Sequence, residues 1–243
     1  MTRPGPEAVF EALDCTWPSL ALTACGPFRL RNGDGGGKRV SAATTDRAAA
    51  PDDIAQANRA MRALGQTPLY MIRDGNDALD ELLDAESYAT IDPTVLYLAP
   101  AQDLARTYPI TTIIPAWPPL AIQSEIWAEG GIDASRIRVM ERAVDPKVSL
   151  LGRIDDTPSA TAFVAAHNDI AMLHALEVRP GNRCHGMGEI LVRSAAHWAV
   201  EHGTRWLALA VTRANGAANA LYAKLGMTPL AGYHYRQASE AAP

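Results

Sequence analysis

Cysteine is scarce: Cys15, Cys25 and Cys184 are the only three in the chain. An odd count with no Cys-x-x-Cys pair argues against a disulfide framework or a thiolate zinc site, and makes a reducing, cytoplasmic setting the expectation. No stretch approaches the about 18 apolar residues that a membrane-spanning helix needs. The opening residues, MTRPGPEAVFEALD, carry early acids and no apolar run, so no secretory signal is expected. Excess positive charge is also missing. With a net charge of −5 and a pI near 5.7, neither nucleic acid nor a membrane surface is an expected partner. A local basic cluster could still serve one anionic ligand. What remains is ordinary for a globular chain: 48% of the 243 residues are hydrophobic, enough for one large domain or two small ones.

The first 50 residues read as strand-like and broken by turns. FRLRNGDGGGKRVSAAT suggests two short strands around a glycine-rich connection. That connection is no phosphate loop, because Asn32 and Arg39 stand where the motif needs glycine and a hydroxyl. A helix follows, capped by Asp52 or Asp53, with Ile54, Ala57, Met61 and Leu64 at helical spacing and Gly65 as its stop. TPLYMIR (67–73) and TVLYLAP (94–100) read as strands, with an amphipathic helix at 76–87 between them. Residues 101–119 hold Pro109, Pro115, Pro118 and Pro119, which places a domain boundary there and predicts domains 1–105 and 116–243.

The second half has a clearer rhythm. Helices are expected at 120–131 and 135–144, and a strand at 148–155. Residues 159–178 read as a two-strand hairpin turning near Asn168-Asp169, with the longer second strand ending at Val178. A helix then runs to about Glu201 with Met187, Leu191, Ala195, Trp198 and Ala199 as its core stripe. RWLALAV (205–211) is an uninterrupted apolar strand of the kind buried on both faces. A short helix at 216–226 closes on Gly226, and final strands are expected near MTPL and AGYHYRQA.

EVRPGNRCHGMGEIL (177–191) joins a strand to a helix. The first turn of a helix leaves about four backbone N–H groups unpaired and carries partial positive charge. Gly186 and Gly188 let an anion approach the backbone, and Arg183 adds positive charge, with Arg179 and Arg193 nearby in sequence. A plain strand-to-helix turn uses the same glycines. The dinucleotide fingerprint G-x-G-x-x-G fails, since residue 191 is Leu.

LHALEVRPGNRCHGMGEILVRSAAHWA resembles the acetyl-CoA-binding signature of the GNAT superfamily of N-acetyltransferases: Arg183, Gly186 and Gly188 match its Arg/Gln-x-x-Gly-x-Gly/Ala core. Downstream, RANGAANALYAKLGMTPL resembles a second family segment through Asn215, Ala218, Leu221, Tyr222, Leu225 and Gly226, with Met227 where Phe is usual. Together they cover about residues 118–236. Cys184, followed by His185, stands directly after the Arg where many members have Gly, so both side chains must point away from the phosphates, and Cys184 is either an oxidation-sensitive spot or a tolerated small residue. The N-terminal half is similar to the degenerate leading half of tandem members and has no cofactor motif.

The resemblance implies an α/β (α+β) GNAT fold, a mixed and mostly antiparallel sheet flanked by helices, as two GNAT-like halves in tandem. It implies acetyl-CoA as cosubstrate, no metal, and a small-molecule or peptide amine as acceptor, in a monomer or homodimer. The pantetheine arm would pair with backbone at Leu176, Glu177 and Val178. The diphosphate would sit on N–H groups from Cys184 through His185, Gly186, Met187 and Gly188 to Glu189, with Asn215, Ala218 and Tyr222 also near the cofactor. Tyr222 is the candidate general acid for the departing thiolate; a core tyrosine beside Leu221 and Leu225 is the alternative. His174, Glu177 and Asp169 are the candidate bases, with a structural histidine as the alternative for His174 and a helix cap for Asn215. A non-catalytic acyl-CoA-binding module and transfer of a longer acyl group stay open as competing functions.

Overall fold

The computed structural model describes residues 2–238. Helix α1 (Pro6–Thr16) comes first, then the hairpin β1 (Ala21–Cys25) and β2 (Phe28–Asn32). The short α2 (Lys38–Ser41), α3 (Pro51–Ala63), β3 (Leu69–Arg73), α4 (Asp77–Ala85) and β4 (Ala89–Pro100) follow. Next are α5 (Ala101–Leu104), β5 (Ile113–Ala116), α6 (Ala121–Glu129), α7 (Ala134–Arg142), β6 (Lys147–Ile154), β7 (Thr157–His167) and β8 (Ile170–Val178). A 3-10 turn at Pro180–Asn182 leads to α8 (Met187–Glu201), β9 (Trp206–Thr212), α9 (Gly216–Lys224) and β10 (Thr228–Gln237).

These residues form two compact units. One holds residues 2–18, 96–211 and 215–230; the other holds 19–95, 212–214 and 231–238. These bounds differ from the expected 1–105 and 116–243. The N-terminal α1 packs on β7 and β8, and the end of β10 pairs antiparallel with β3, Tyr233 opposite Arg73. The proline-rich 101–119 lies inside the first unit, where it carries α5 and β5. Proline density marks irregular backbone, but contacts between distant segments decide which pieces share a core.

In the first unit the strands lie in the order β4-β9-β8-β7-β6-β5. The pairs β5–β6, β6–β7 and β7–β8 are antiparallel, and β8–β9 is parallel. A parallel pair needs a crossover, and α8 is that crossover. Its face Met187, Leu191, Val192, Ala195, Ala196, Trp198 and Ala199 is buried, which accounts for the whole predicted stripe. Between them, α1, α6 and α8 cover β7 and β8. The β7–β8 hairpin turns at the expected place, but β7 is the longer strand, 11 residues against 9.

The second unit has the β1–β2 hairpin and β3 paired with the end of β10. Its core is Phe28, Leu30, Ile54, Met61, Tyr70, Ile72, Leu79, Leu83 and Tyr88. Helix α3 starts at Pro51, with Asp53 Oδ2 accepting the Ala50 N–H at 2.9 Å. Three expectations change. The opening segment is not strand-like, since Val9, Phe10, Ala12, Leu13 and Thr16 form the buried stripe of α1. The strand expected after the glycine run reduces to isolated bridges at Ala43 and Thr44, because α2 takes up the preceding residues. The two strands expected at the C-terminus are the single β10.

Candidate functional site

The end of β8 is the starting point. Its parallel pairing with β9 runs from Ile170–Trp206 to Leu173–Leu209 and stops. On the other side it stays paired with β7 to Val178, opposite Ala160. Between these points the register with β7 shifts at Thr161/Phe163, and Ala175 has a left-handed φ of 49°. This is a β-bulge, which bends a strand and strengthens its twist. Trp127, fully buried in α6, donates its indole N–H to the Ala175 carbonyl at 2.7 Å. Beyond the bulge, Leu176, Glu177 and Val178 are half-buried and have left β9.

The chain then turns into α8. Cys184 has φ 65° and Gly186 φ 82°; left-handed backbone is natural for glycine and unusual for cysteine. Ile190 N–H closes the first helical bond, to Gly186 O at 3.1 Å. Among the described residues, the main-chain N–H groups of Cys184, His185, Gly186, Met187, Gly188 and Glu189 donate to no protein acceptor. Cys184, His185 and Gly186 are exposed. Met187 is buried, and a Cβ on Gly152 would stand 2.6 Å from its sulfur. A Cβ on Gly188 would come within 3.2 Å of Leu221 Cδ2, so α8 begins hard against α9.

Charges frame this loop. Arg183 donates from Nε to Val178 O and from Nη2 to Glu177 Oε1, both at 3.1 Å. Arg179 holds Glu129 with two bonds, at 2.9 and 2.7 Å. Glu189, in the first turn of α8, bonds Arg193 at 2.9 Å and Lys224 at 3.1 Å; the Arg193 bond, then that of Lys224, holds its carboxyl below the usual range. The acid is thereby neutralised where an anion would otherwise be repelled.

At the start of α9, Asn215 Oδ1 accepts the Ala218 N–H at 3.1 Å, so Asn215 is a helix cap. Asn219 Nδ2 donates to Asn215 O at 2.7 Å, and the Tyr97 hydroxyl bonds Asn219 Oδ1 at 3.1 Å. Tyr97 also stands 5.7 Å, ring to ring, from Tyr222. Tyr222 is buried, and its phenol has no hydrogen-bond partner among the described residues. Burial pushes its pKa up to about 12.

The candidate bases part company. His174 is buried, 2.8 Å from Thr16 Oγ1. That hydroxyl donates its one hydrogen to Ala12 O at 2.6 Å, so it must accept from His174 Nε2. The ring also lies 5.0 Å from that of Trp17. This is the environment of a structural histidine. Simple alternation would put residues 174 and 176 on one face, but the bulge at Ala175 breaks that parity. Asp169 pairs with Arg205 in the turn before β8, about 26 Å of strand from Glu177 at ~3.3 Å per residue. Glu177 is the candidate base that stays beside the loop. Trp127, Gly130 and Tyr97 carry no signal in the linear sequence, where each looks like an ordinary core or helix-end residue.

Among the described residues, no helix is long and apolar enough to cross a membrane, and no group of three or more His, Cys, Asp or Glu side chains is arranged to hold a metal. Residues 114–227 match the Acetyltransferase (GNAT) family. An uncharacterised N-acetyltransferase of Bacillus subtilis, YobR, is 24% identical over 235 residues, covering 91% of this chain and 94% of that protein. A solved GCN5-related N-acetyltransferase from Kribbella flavida superposes with a TM-score of 0.69 at 20% identity, covering 98% of this chain and 97% of the other. A tandem GNAT protein from the clavulanic acid biosynthesis pathway superposes with a TM-score of 0.60 at 14% identity, over 83% of this chain and 76% of that one. The likeness to the acetyltransferase (GNAT) family is thus carried by residues 114–227, which contain α8, α9 and the loop between β8 and α8.

Proposed function

We propose that the chain is an acetyl-CoA-dependent N-acetyltransferase acting on a primary amine, with cofactor and chemistry carried by residues 116–243. The observation that carries this reading is the run of six unpartnered N–H groups from Cys184 to Glu189 at the start of α8. Successive free donors at a helix N-terminus suit a diphosphate. The freed end of β8 offers backbone at Leu176, Glu177 and Val178 to the amide-bearing arm of the donor. Fixing the thioester there makes attack effectively intramolecular, an effect worth several orders of magnitude in rate.

Transfer is direct. The amine nitrogen attacks the acetyl carbonyl carbon, the carbon–sulfur bond breaks, and an amide and free CoA result. Two protons move. The one from the attacking amine goes to Glu177 or to a water beside it. The one for the departing sulfur is offered by Tyr222, which its burial keeps protonated at working pH. Asn215 and Ala218 hold the first turn of α9 in place, and with it Tyr222. No step requires a metal. The N-terminal half, read as a degenerate tandem partner, contributes packing and shape rather than cofactor contacts.

Calorimetric titration with CoA tests the loop. Wild type is expected to bind, and Gly188→Glu, which places a carboxylate on the first turn of α8, is expected to lose binding, with its folding verified by circular dichroism. Undiminished binding by a folded Gly188→Glu protein would remove the loop assignment. Binding without turnover over a screen of primary amines, followed by release of free CoA, would favour the non-catalytic module instead.

A further inference from the structure

We infer that Trp127 is a positioning residue that holds the end of β8 open, and so sets affinity for the arm of the acyl donor rather than for its nucleotide. The inference rests on the reading of the loop and strand end given above. Ala175 has a Cβ and a φ of 49°, a conformation disfavoured for any residue but glycine. Such a residue needs an outside restraint. The restraint visible here is the indole N–H of Trp127 on its carbonyl, at 2.7 Å. An indole has one donor and no acceptor, so this bond uses the whole polar capacity of a fully buried side chain.

Helix α6 is built to hold that donor still. One turn before Trp127, the buried Gln123 donates from Nε2 to Thr161 Oγ1 on β7 at 3.2 Å, and its Oε1 accepts the Leu120 N–H at 2.9 Å and lies 3.0 Å from Ser149 Oγ on β6. Thr161 is also where the register of β7 and β8 shifts. Past Trp127, the helix meets alternate residues of the departing chain. Gly130 leaves room for Glu177, whose carboxyl carbon would lie 2.6 Å from a Cβ at that position. Glu129 takes the two bonds from Arg179. Ala175, Glu177 and Arg179 are thus each seated on α6, whose other anchor is the well-paired part of the sheet. The helix acts as a strut from β6 and β7 to the bulge.

The test separates the arm of the donor from its nucleotide. CoA and 3′-phosphoadenosine 5′-diphosphate, which keeps the diphosphate and lacks the arm, are titrated into wild type, Trp127→Phe and the double variant Trp127→Phe/Ala175→Gly. Trp127→Phe is expected to weaken CoA binding about tenfold, the loss of roughly one hydrogen bond, and to leave binding of the armless nucleotide within about twofold of wild type. Glycine at 175 tolerates the left-handed backbone unaided, so the double variant should regain most of the CoA affinity. A merely structural tryptophan would move both ligands together and would not be rescued by that glycine. Equal weakening of the two ligands, or no weakening, overturns the inference. Should Trp127→Phe fail to fold, Ala175→Val strains the same residue with Trp127 in place; the same split is expected, and its absence is equally decisive against the strut. Wild type that binds no CoA at all would instead sink the reading of the loop.

Discussion

At the scale of single residues, Tyr222 is the proposed general acid. Burial raises its pKa to about 12, and the Tyr97–Asn219–Asn215 chain of hydrogen bonds steadies the helix on which it stands. A removed general acid typically lowers turnover by about 10²–10⁴-fold. Tyr222→Phe should therefore lower kcat by at least about a hundredfold while CoA affinity, measured by calorimetry, stays near wild type. Steady-state release of free CoA reads the first quantity, and unchanged turnover would remove Tyr222 from the mechanism. His174 shows a different setting: a residue type suited to catalysis that lies buried, 2.8 Å from Thr16 Oγ1.

At the scale of elements, the site depends on where α8 begins. Gly186 caps the helix in the left-handed region, and Met187 plugs its first turn against Gly152 of β6. A methyl group at 152 would meet the Met187 sulfur at 2.6 Å. Methionine can give way, but not without moving the first turn. Gly152→Ala should therefore cost about 1–3 kcal/mol, read as a shift in the urea midpoint with the slope unchanged. It should also weaken CoA binding, because the displaced turn carries half of the six free N–H groups. A variant with wild-type stability and wild-type CoA affinity would show that the first turn is not held by this contact.

At the scale of the whole molecule, the buried tyrosines are expected to set the alkaline limit. Tyr70 and Tyr235 are pushed up by burial, as is Tyr222. Each folded-state pKa lies above the unfolded value of about 10. The stability they contribute is thus complete below about pH 10 and is lost as pH rises through the folded values. For Tyr222, a rise from about 10 to about 12 corresponds to roughly 3 kcal/mol lost across that window. Denaturant unfolding at pH about 8, 10 and 11 should show stability falling only at the last step, and falling less in Tyr222→Phe. A flat profile through pH about 11 would mean that these phenols ionise in the folded protein without penalty.

Spacing along the chain was enough to read the hairpin at Asn168-Asp169, the stripe of α8, the glycine-flanked turn that starts it and the cap of α9, because each rests on residues within a few positions of one another. Periodic burial and local backbone preference act at that range. The bulge at Ala175, the tie from Trp127, the seat of Glu177 on Gly130, the burial of His174 on Thr16 and the membership of α1 in the first unit were decided only once the chain had folded. Each joins residues far apart in sequence, and which distant residues meet is set by how sheet and helices share a core. The linear pattern thus pointed to the loop proposed to receive an anion, while tertiary packing set which acids and histidines lie beside it and which are buried elsewhere.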